Sequence, residues 1–365
     1  MIYFFLLKKF LKARWIYKKP KRKKFIIYDF AHSNYLLNYI KKENTAIYYT
    51  RGEEINFFVF YKAVMSFGFR KIRKNYKKIF FDYVKPKVVV TLMSNYTAFY
   101  ELKKEFPNIT TIAIQTDLGN ENFFKVLKNQ RKNFFSCDYF FFFSSSFRKM
   151  IQKYITIKKK SFVIGSFRNN FHKYKSLNNK KILFISKCNK GQTALNEILL
   201  LKKIIRYLIK NKAGKIDISL KTKDLSIINY FKKNLDEDFI NIIPRKNNYS
   251  LIQNYRNIIF TDSTLGYECL AKGKKIISYG LGSLDKNWCI NNGFNPINKF
   301  GYPAKFNDNG FCWSNKSSER DINDLLNSIL SMKQSTFDKK IKNIREKIMD
   351  YDPDNSKFKR LLCVV

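Results

Sequence analysis

Short runs of apolar, β-branched and aromatic residues recur along this chain. Each ends in polar residues and is followed by a stretch with helical spacing. FIIY (25–28), AIYYT (46–50), KVVVTLM (87–93), TTIAIQTD (110–117), SCDYFFFFSSS (136–146) and SFVIGSF (161–167) form a first series. KILFISK (181–187), KIDISLKTK (215–223), FINIIPR (239–245), NIIFTDS (257–263) and KKIISYG (274–280) form a second. Runs this apolar must be covered on both faces, as in parallel sheets built from βαβ units. The predicted fold is therefore α/β, with functional loops at the carboxyl ends of the strands.

The series breaks at RNNFHKYKSLNNK (168–180), which is polar, basic and without period, and reads as a linker. Two doubly wound halves joined near residue 175 follow from this, and 365 residues is a length for two domains. The expected boundaries are a basic and apolar segment over 1–24, a first domain over 25–172, a second over 173–330, and a helical tail over 331–365. Residues 1–24 end in KKPKRKK. They read either as an interfacial segment facing anionic lipid or as a frayed tail. No apolar run approaches the roughly 20 residues of a membrane-spanning helix, and the start lacks the order of a secretory signal. The expected location is cytoplasmic, with a peripheral place at the inner membrane face left open.

Lys and Arg number 71 against 28 Asp and Glu, a formal charge of +43. Such an excess attracts polyanions, whether nucleic acid, anionic lipid or phosphorylated small molecules. Of the 71, 57 are Lys, beside many Asn, Ile, Phe and Tyr. All of these have AT-rich codons, so codon bias is an alternative source of the charge, which by itself selects no function. The six cysteines form no CxxC pair and there are two histidines, so a zinc or haem site is disfavoured. Buried thiols are expected rather than a disulfide framework.

NIIFTDSTLGYECLAKGKKIISYG (257–280) carries the most chemistry. A buried strand runs into Thr261, Asp262, Ser263 and Thr264, where a helix opens that ends near Gly273. Free N–H groups, the positive end of the helix dipole and two hydroxyls suit a phosphate. Glu268, one turn on, is placed for ribose hydroxyls. An ordinary cap by Asp262 or Ser263 with a surface Glu fits the spacing equally.

This segment resembles the carboxyl-terminal domain of GT-B-fold glycosyltransferases, most nearly the bacterial surface-carbohydrate biosynthesis proteins of capsule and lipopolysaccharide. There an acidic residue, Ser, and Ser or Thr precede Gly, an aromatic and Glu, with a small Ala-x-Gly ending. Asp262, Ser263, Thr264, Gly266, Tyr267, Glu268, Ala271 and Gly273 match. Residues 88–120 are similar to the amino-terminal domain of the same proteins, with Ile114-Gln115-Thr116-Asp117 where the family has Ile-Gln-Asn-Gly and with Gly119 displaced. The resemblance covers roughly residues 85–280. It implies two Rossmann-like domains facing a cleft, a nucleotide-sugar donor, and a glycan or lipid-linked acceptor. It puts Ser263 and Thr264 on donor phosphate, Glu268 on the donor's sugar, and Asn95, Gln115 and Asp117 at the cleft.

A departing phosphate could be stabilised without a tightly bound metal by helix N-termini and cations. Ser186, Lys187 and Lys190, after the first strand of the second half, stand ready for this, although a lysine here is also an ordinary surface charge. An inverting reaction needs a base for the acceptor hydroxyl, with Asp29, His32 and Asp117 as candidates. No metal and no cofactor besides the donor is expected. GxxxxGK[ST] and GxGxxG are absent, and the DPD of 352–354 lies in the tail. Competing readings are an epimerase related to the UDP-N-acetylglucosamine 2-epimerases, a polyol-phosphate transferase, and a basic nucleic-acid binder. Single Glu268 and Thr264-Leu265-Gly266 argue against the epimerase pattern. The aromatics, set in strand-like runs, argue against nucleic acid.

Overall fold

The computed structural model describes residues 11–69, 72–117, 121–131, 133–173, 179–187, 192–220, 222–243, 248–261, 263–280, 300–315 and 318–365. The chain divides into two compact units. The first comprises 1–142, 151–162 and 356–365; the second comprises 143–150 and 163–355.

In the first unit, β1 (Arg14–Ile16) pairs in parallel with β4 (Glu54–Asn56) as a small separate sheet. The main sheet holds β2 (Phe25–Tyr28), β3 (Thr45–Tyr48), β5 (Val88–Thr91), β6 (Thr110–Ile114), β7 (Phe135–Phe142) and β8 (Ile155–Val163). Their order is β3-β2-β5-β6-β7-β8, and the pairings from β3 through β7 are parallel. Every residue of β2 and β5 is buried. The aromatic run 140–143 is core, with Phe141, Phe142 and Phe143 fully buried. Strand order reverses between β2 and β5, so the loops leaving these strands diverge and open a crevice at the switch point.

The second sheet runs β11-β10-β9-β12-β13-β15-β14. Its strands are β9 (Ile182–Ile185), β10 (Ile216–Ser219), β11 (Ile240–Ile243), β12 (Asn257–Phe260), β13 (Lys275–Tyr279), β14 (Asn309–Gly310) and β15 (Trp313–Ser314). From β11 to β15 neighbours are parallel, and the switch point lies between β9 and β12. The helix Gln192–Lys210 lays Leu201, Ile204 and Leu208 into the core, and Glu319–Ser331 adds Ile322, Leu326 and Ile329. Burial of each such side chain contributes about 1.5–3 kcal/mol.

The division differs from the expected one. The boundary lies earlier than residue 175, the segment 143–150, most of it in the helix Ser145–Ile151, already belongs to the second unit, and the tail is shared. Its helix Gln334–Ile348 packs in the second unit. Phe358, from Ser356–Leu362, is buried edge-on against Phe141 and Tyr39 of the first. The stretch between β4 and β5 forms two helices, Phe57–Phe67 and Ile72–Val84, parted after Gly68 at φ +62°. Among the described residues Cys137, Cys269 and Cys312 are buried thiols. No described helix is long and apolar enough to cross a membrane.

Candidate functional site

The second unit gathers polar groups at its switch point. Ser186 and Lys187 leave β9, and Thr261 leaves β12. Between them stands Glu197, from the helix Gln192–Lys210, with no exposure to solvent. Its carboxylate accepts from the Ser186 hydroxyl, from the Lys187 backbone N–H at 2.8 Å and from the Thr261 hydroxyl at 3.0 Å. A buried carboxylate persists only with such compensation. These bonds tie the two strand ends around one negative charge and fix the loops on either side of the crevice. Glu197 was not among the sequence candidates. The signal was present, because position 197 lies on the same helical stripe as Leu201, Ile204 and Leu208, where a charge needs partners.

Beyond Thr261 the helix Thr264–Ala271 opens as expected. Ser263 is buried in an extended conformation, and its hydroxyl makes no cap bond to the helix. Thr264 is half-buried. Gly266 has a packing role. A Cβ there would stand 2.2 Å from the Phe260 ring, so the helix can lie this close to β12 only with glycine. The Tyr267 hydroxyl accepts from the Gly301 N–H at 3.0 Å.

Glu268 corrects the expectation of a carboxylate open to a donor sugar. Its side chain is buried, and Oε1 accepts from the Ser166 hydroxyl with the Arg168 guanidinium at 3.9 Å. Its backbone carbonyl accepts from Asn169 Nδ2 at 2.9 Å. Glu268 thus anchors the short helix Phe167–Phe171 onto the second unit. Three buried lysines follow. Lys272 donates to the His172 carbonyl at 2.5 Å, Lys274 to that of Tyr255 at 2.5 Å, and Lys275 to those of Ile329 and Met332. Burial pushes the Lys272 ammonium down to about 8, and lowers Lys274 and Lys275 as well.

In the first unit Asn95, Gln115 and Asp117 do come together, at the ends of β5 and β6. Asn95 Nδ2 donates to Asp117 Oδ2 at 2.8 Å, and Gln115 Nε2 to the Asp117 carbonyl at 2.9 Å. Asp29, after β2, is buried and engaged at both oxygens. Oδ1 accepts from the Ala31 N–H at 2.8 Å and Arg51 Nη2 at 2.9 Å, and Oδ2 from the Thr50 hydroxyl. That carboxylate therefore organises the loops leaving β2 and β3. Arg51, which sequence reasoning passed over, also reaches Met93 Sδ at 3.8 Å after β5, spanning the switch point. His32 is exposed, with a left-handed backbone at φ 63°. Lys190 and Asp262 lie outside the described residues. Among the described residues no cluster of His, Cys, Asp and Glu could hold a metal ion.

Residues 191–364 match a family described as "putative O-antigen biosynthesis protein". No curated protein matches the chain. Among solved structures, HepE from Anabaena, in complex with UDP and glucose, aligns at TM-score 0.52 and 11% identity. The match covers 94% of this chain and all (100%) of that one. The UDP-GlcNAc 2-epimerase of Neisseria meningitidis, bound to UDP-GlcNAc, aligns at 0.48 and 12% identity, covering 93% and 98%. S. aureus TarM, in a complex that contains UDP, aligns at 0.44 and 14%, covering 76% of this chain; the chain spans 55% of TarM's length. In fold this chain is similar to the GT-B glycosyltransferases and their epimerase relatives, with two Rossmann-like units.

Proposed function

We propose that the protein is a metal-independent glycosyltransferase of surface-carbohydrate biosynthesis, moving a sugar from a nucleotide-activated donor to a polysaccharide or lipid-linked glycan. The observation that carries this reading is the second unit's switch point. There, Glu197 fixes the Lys187 N–H and the Thr261 loop directly before a helix that begins with Ser263 and Thr264. Rossmann-like sheets bind nucleotides at such a crevice, with phosphate at a helix N-terminus. The match of residues 191–364 to an O-antigen family supports the same class of substrate.

In this reading the second unit holds the donor. Lys187 and Thr264 face its phosphates, together with Lys190 and Asp262 by sequence position, while the buried Ser186 and Ser263 shape the crevice behind them. Thr264 and the helix dipole stabilise the departing nucleotide as negative charge develops on it. Gly266 supports that helix through its contact with Phe260, and Glu268 supports it from behind. The first unit meets the acceptor. Asp117, held by Asn95 and flanked by Gln115, is the favoured base, and His32 is the second candidate. No cofactor takes part besides the donor substrate. With a lipid-linked acceptor the protein works as a peripheral protein at the inner face of the membrane.

Thermal-shift titration with UDP-, GDP- and CMP-linked sugars tests the donor half. One class stabilises the parent chain, and Thr264→Val removes most of that shift. Absence of any shift with all three classes, or a full shift retained in Thr264→Val, contradicts the assignment. Asp117→Asn retains the donor shift but loses turnover by about 100-fold or more if Asp117 is the base.

A further inference from the structure

We propose that the outward face of the helix Phe57–Phe67, with Tyr17 beside it, docks this protein onto an anionic lipid bilayer. This deepens the proposed function by naming where the acceptor's membrane is met.

The helix reverses the usual distribution of a surface helix. Val59 and Ala63 are fully buried and face the unit's interior. On the opposite side, at helical spacing, stand Phe57, Phe58, Tyr61 and Met65, exposed by 39%, 40%, 54% and 69%. A helix on a soluble protein carries charge there; this one carries aromatic and thioether surface interrupted only by Lys62. Tyr17, 66% exposed, brings its ring within 5.6 Å of Phe57.

The flank is basic. Residues 11–24 carry eight Lys and Arg and no Asp or Glu. Lys19 and Lys62 converge on the Tyr83 ring at 5.2 and 5.3 Å, so the strand-side and helix-side charges meet at one margin of the ridge. Glu54 is paired with Arg14 and Glu53 lies 4.0 Å from Arg51, while Asp82, next to Tyr83 in sequence, is exposed. An apolar ridge bordered by lysines is the chemistry of a helix lying in an anionic interface. A second copy of the chain would bring like charges together, +43 against +43. A single-stranded nucleic acid would need open ring faces for stacking. Here Phe57 is already engaged by the rings of Tyr61 and Tyr17, at 6.1 and 5.6 Å between centroids.

Cosedimentation of the full chain with vesicles tests this without sugar transfer. The chain binds phosphatidylcholine vesicles containing phosphatidylglycerol and not those of phosphatidylcholine alone, and added salt weakens the binding. K18Q with K19Q lowers the partition about twenty-five-fold, from about fivefold per lysine. F58S with M65S lowers it by about tenfold or more. Both double variants change exposed side chains, and both keep the parent's nucleotide-sugar thermal shift. Equal binding to the two vesicle types, or unchanged binding of both variants, overturns the proposal. So does light scattering that shows F58S with M65S dissociating a dimer of a chain that binds no vesicle, or an oligonucleotide that abolishes vesicle binding at equal charge. If vesicles bind as stated while no nucleotide sugar shifts the parent chain, the donor assignment fails and the docking face stands.

Discussion

A carboxylate removed from water loses its hydration, and Glu197 replaces that hydration with three donors from two strand ends. Glu197→Ala leaves the Ser186 hydroxyl, the Lys187 N–H and the Thr261 hydroxyl without their acceptor. The expected cost is about 3 kcal/mol, read from the midpoint of a urea titration. Glu197→Gln, which keeps an acceptor oxygen, recovers part of it. Lys272 makes a prediction of opposite character. Its folded-state pKa is lowered to about 8 from 10.5, so the unfolded chain binds more protons between those values. Its burial penalty is fully present below about pH 8 and is relieved as pH rises toward 10.5. Buried thiols and phenols such as Cys269 and Tyr28 are raised and oppose this trend in the parent chain. The clean measurement is therefore the stability difference between Lys272→Met and parent, which should shrink as pH rises from 8 to 10. A constant difference would remove the lysine from the account. Sequence made Ser186 and Ser263 visible because polar residues at the ends of apolar strands stand out. Glu197 and the roles of Asp29 and Glu268 were hidden, because a carboxylate's letter does not say whether it meets a ligand or a neighbouring hydroxyl.

At the scale of elements, the close packing of the helix Thr264–Ala271 on β12 rests on one missing methyl group. Gly266→Ala drives a Cβ into the Phe260 ring, and the helix must shift outward or the ring must rotate. Such overpacking costs about 1–3 kcal/mol. Combining it with Phe260→Leu should restore more than the sum of the single changes predicts, because the two residues share one contact. Additive losses in denaturant titrations would place the cause of the glycine elsewhere. The motif reading found this glycine as part of the donor segment, and its local duty is to let the helix lie close. Most strands of the two main sheets were legible because buried parallel strands are written as continuous apolar runs; β8, expected over 161–167, instead runs Ile155–Val163, because its centre is an exposed KKK that breaks the apolar pattern. The paired three-residue strands β1 and β4 and the two-residue β14 and β15 were not, since so short a run has no period. The break between Phe57–Phe67 and Ile72–Val84 was marked only by Gly68 inside a stretch with unbroken apolar spacing.

At the scale of the molecule, the sequence showed two series of strands but not where the chain changes unit. A linker was expected where composition turns polar, over 168–180. The first change instead follows Phe142, inside an aromatic run that composition cannot divide. The last residues, 356–365, return to the first unit, a long-range assignment that no local pattern encodes. What holds them is Phe358, fully buried, with ring centroids 5.5 Å from Phe141 and 5.8 Å from Tyr39. Phe141 stacks in turn on Phe162 of β8 at 4.8 Å, so the tail closes the far side of the first sheet. Phe358→Ala removes an aromatic side chain from a core that local relaxation cannot fill, at a cost of about 3–5 kcal/mol. The loss belongs to the first unit although the residue is seven from the end of the chain. Hydrogen exchange separates the alternatives: amides of β2, β5, β6 and β7 should exchange faster in Phe358→Ala, while those of β9, β10 and β12 keep the parent's rates. Faster exchange confined to the second sheet would mean that the tail belongs to that unit's fold.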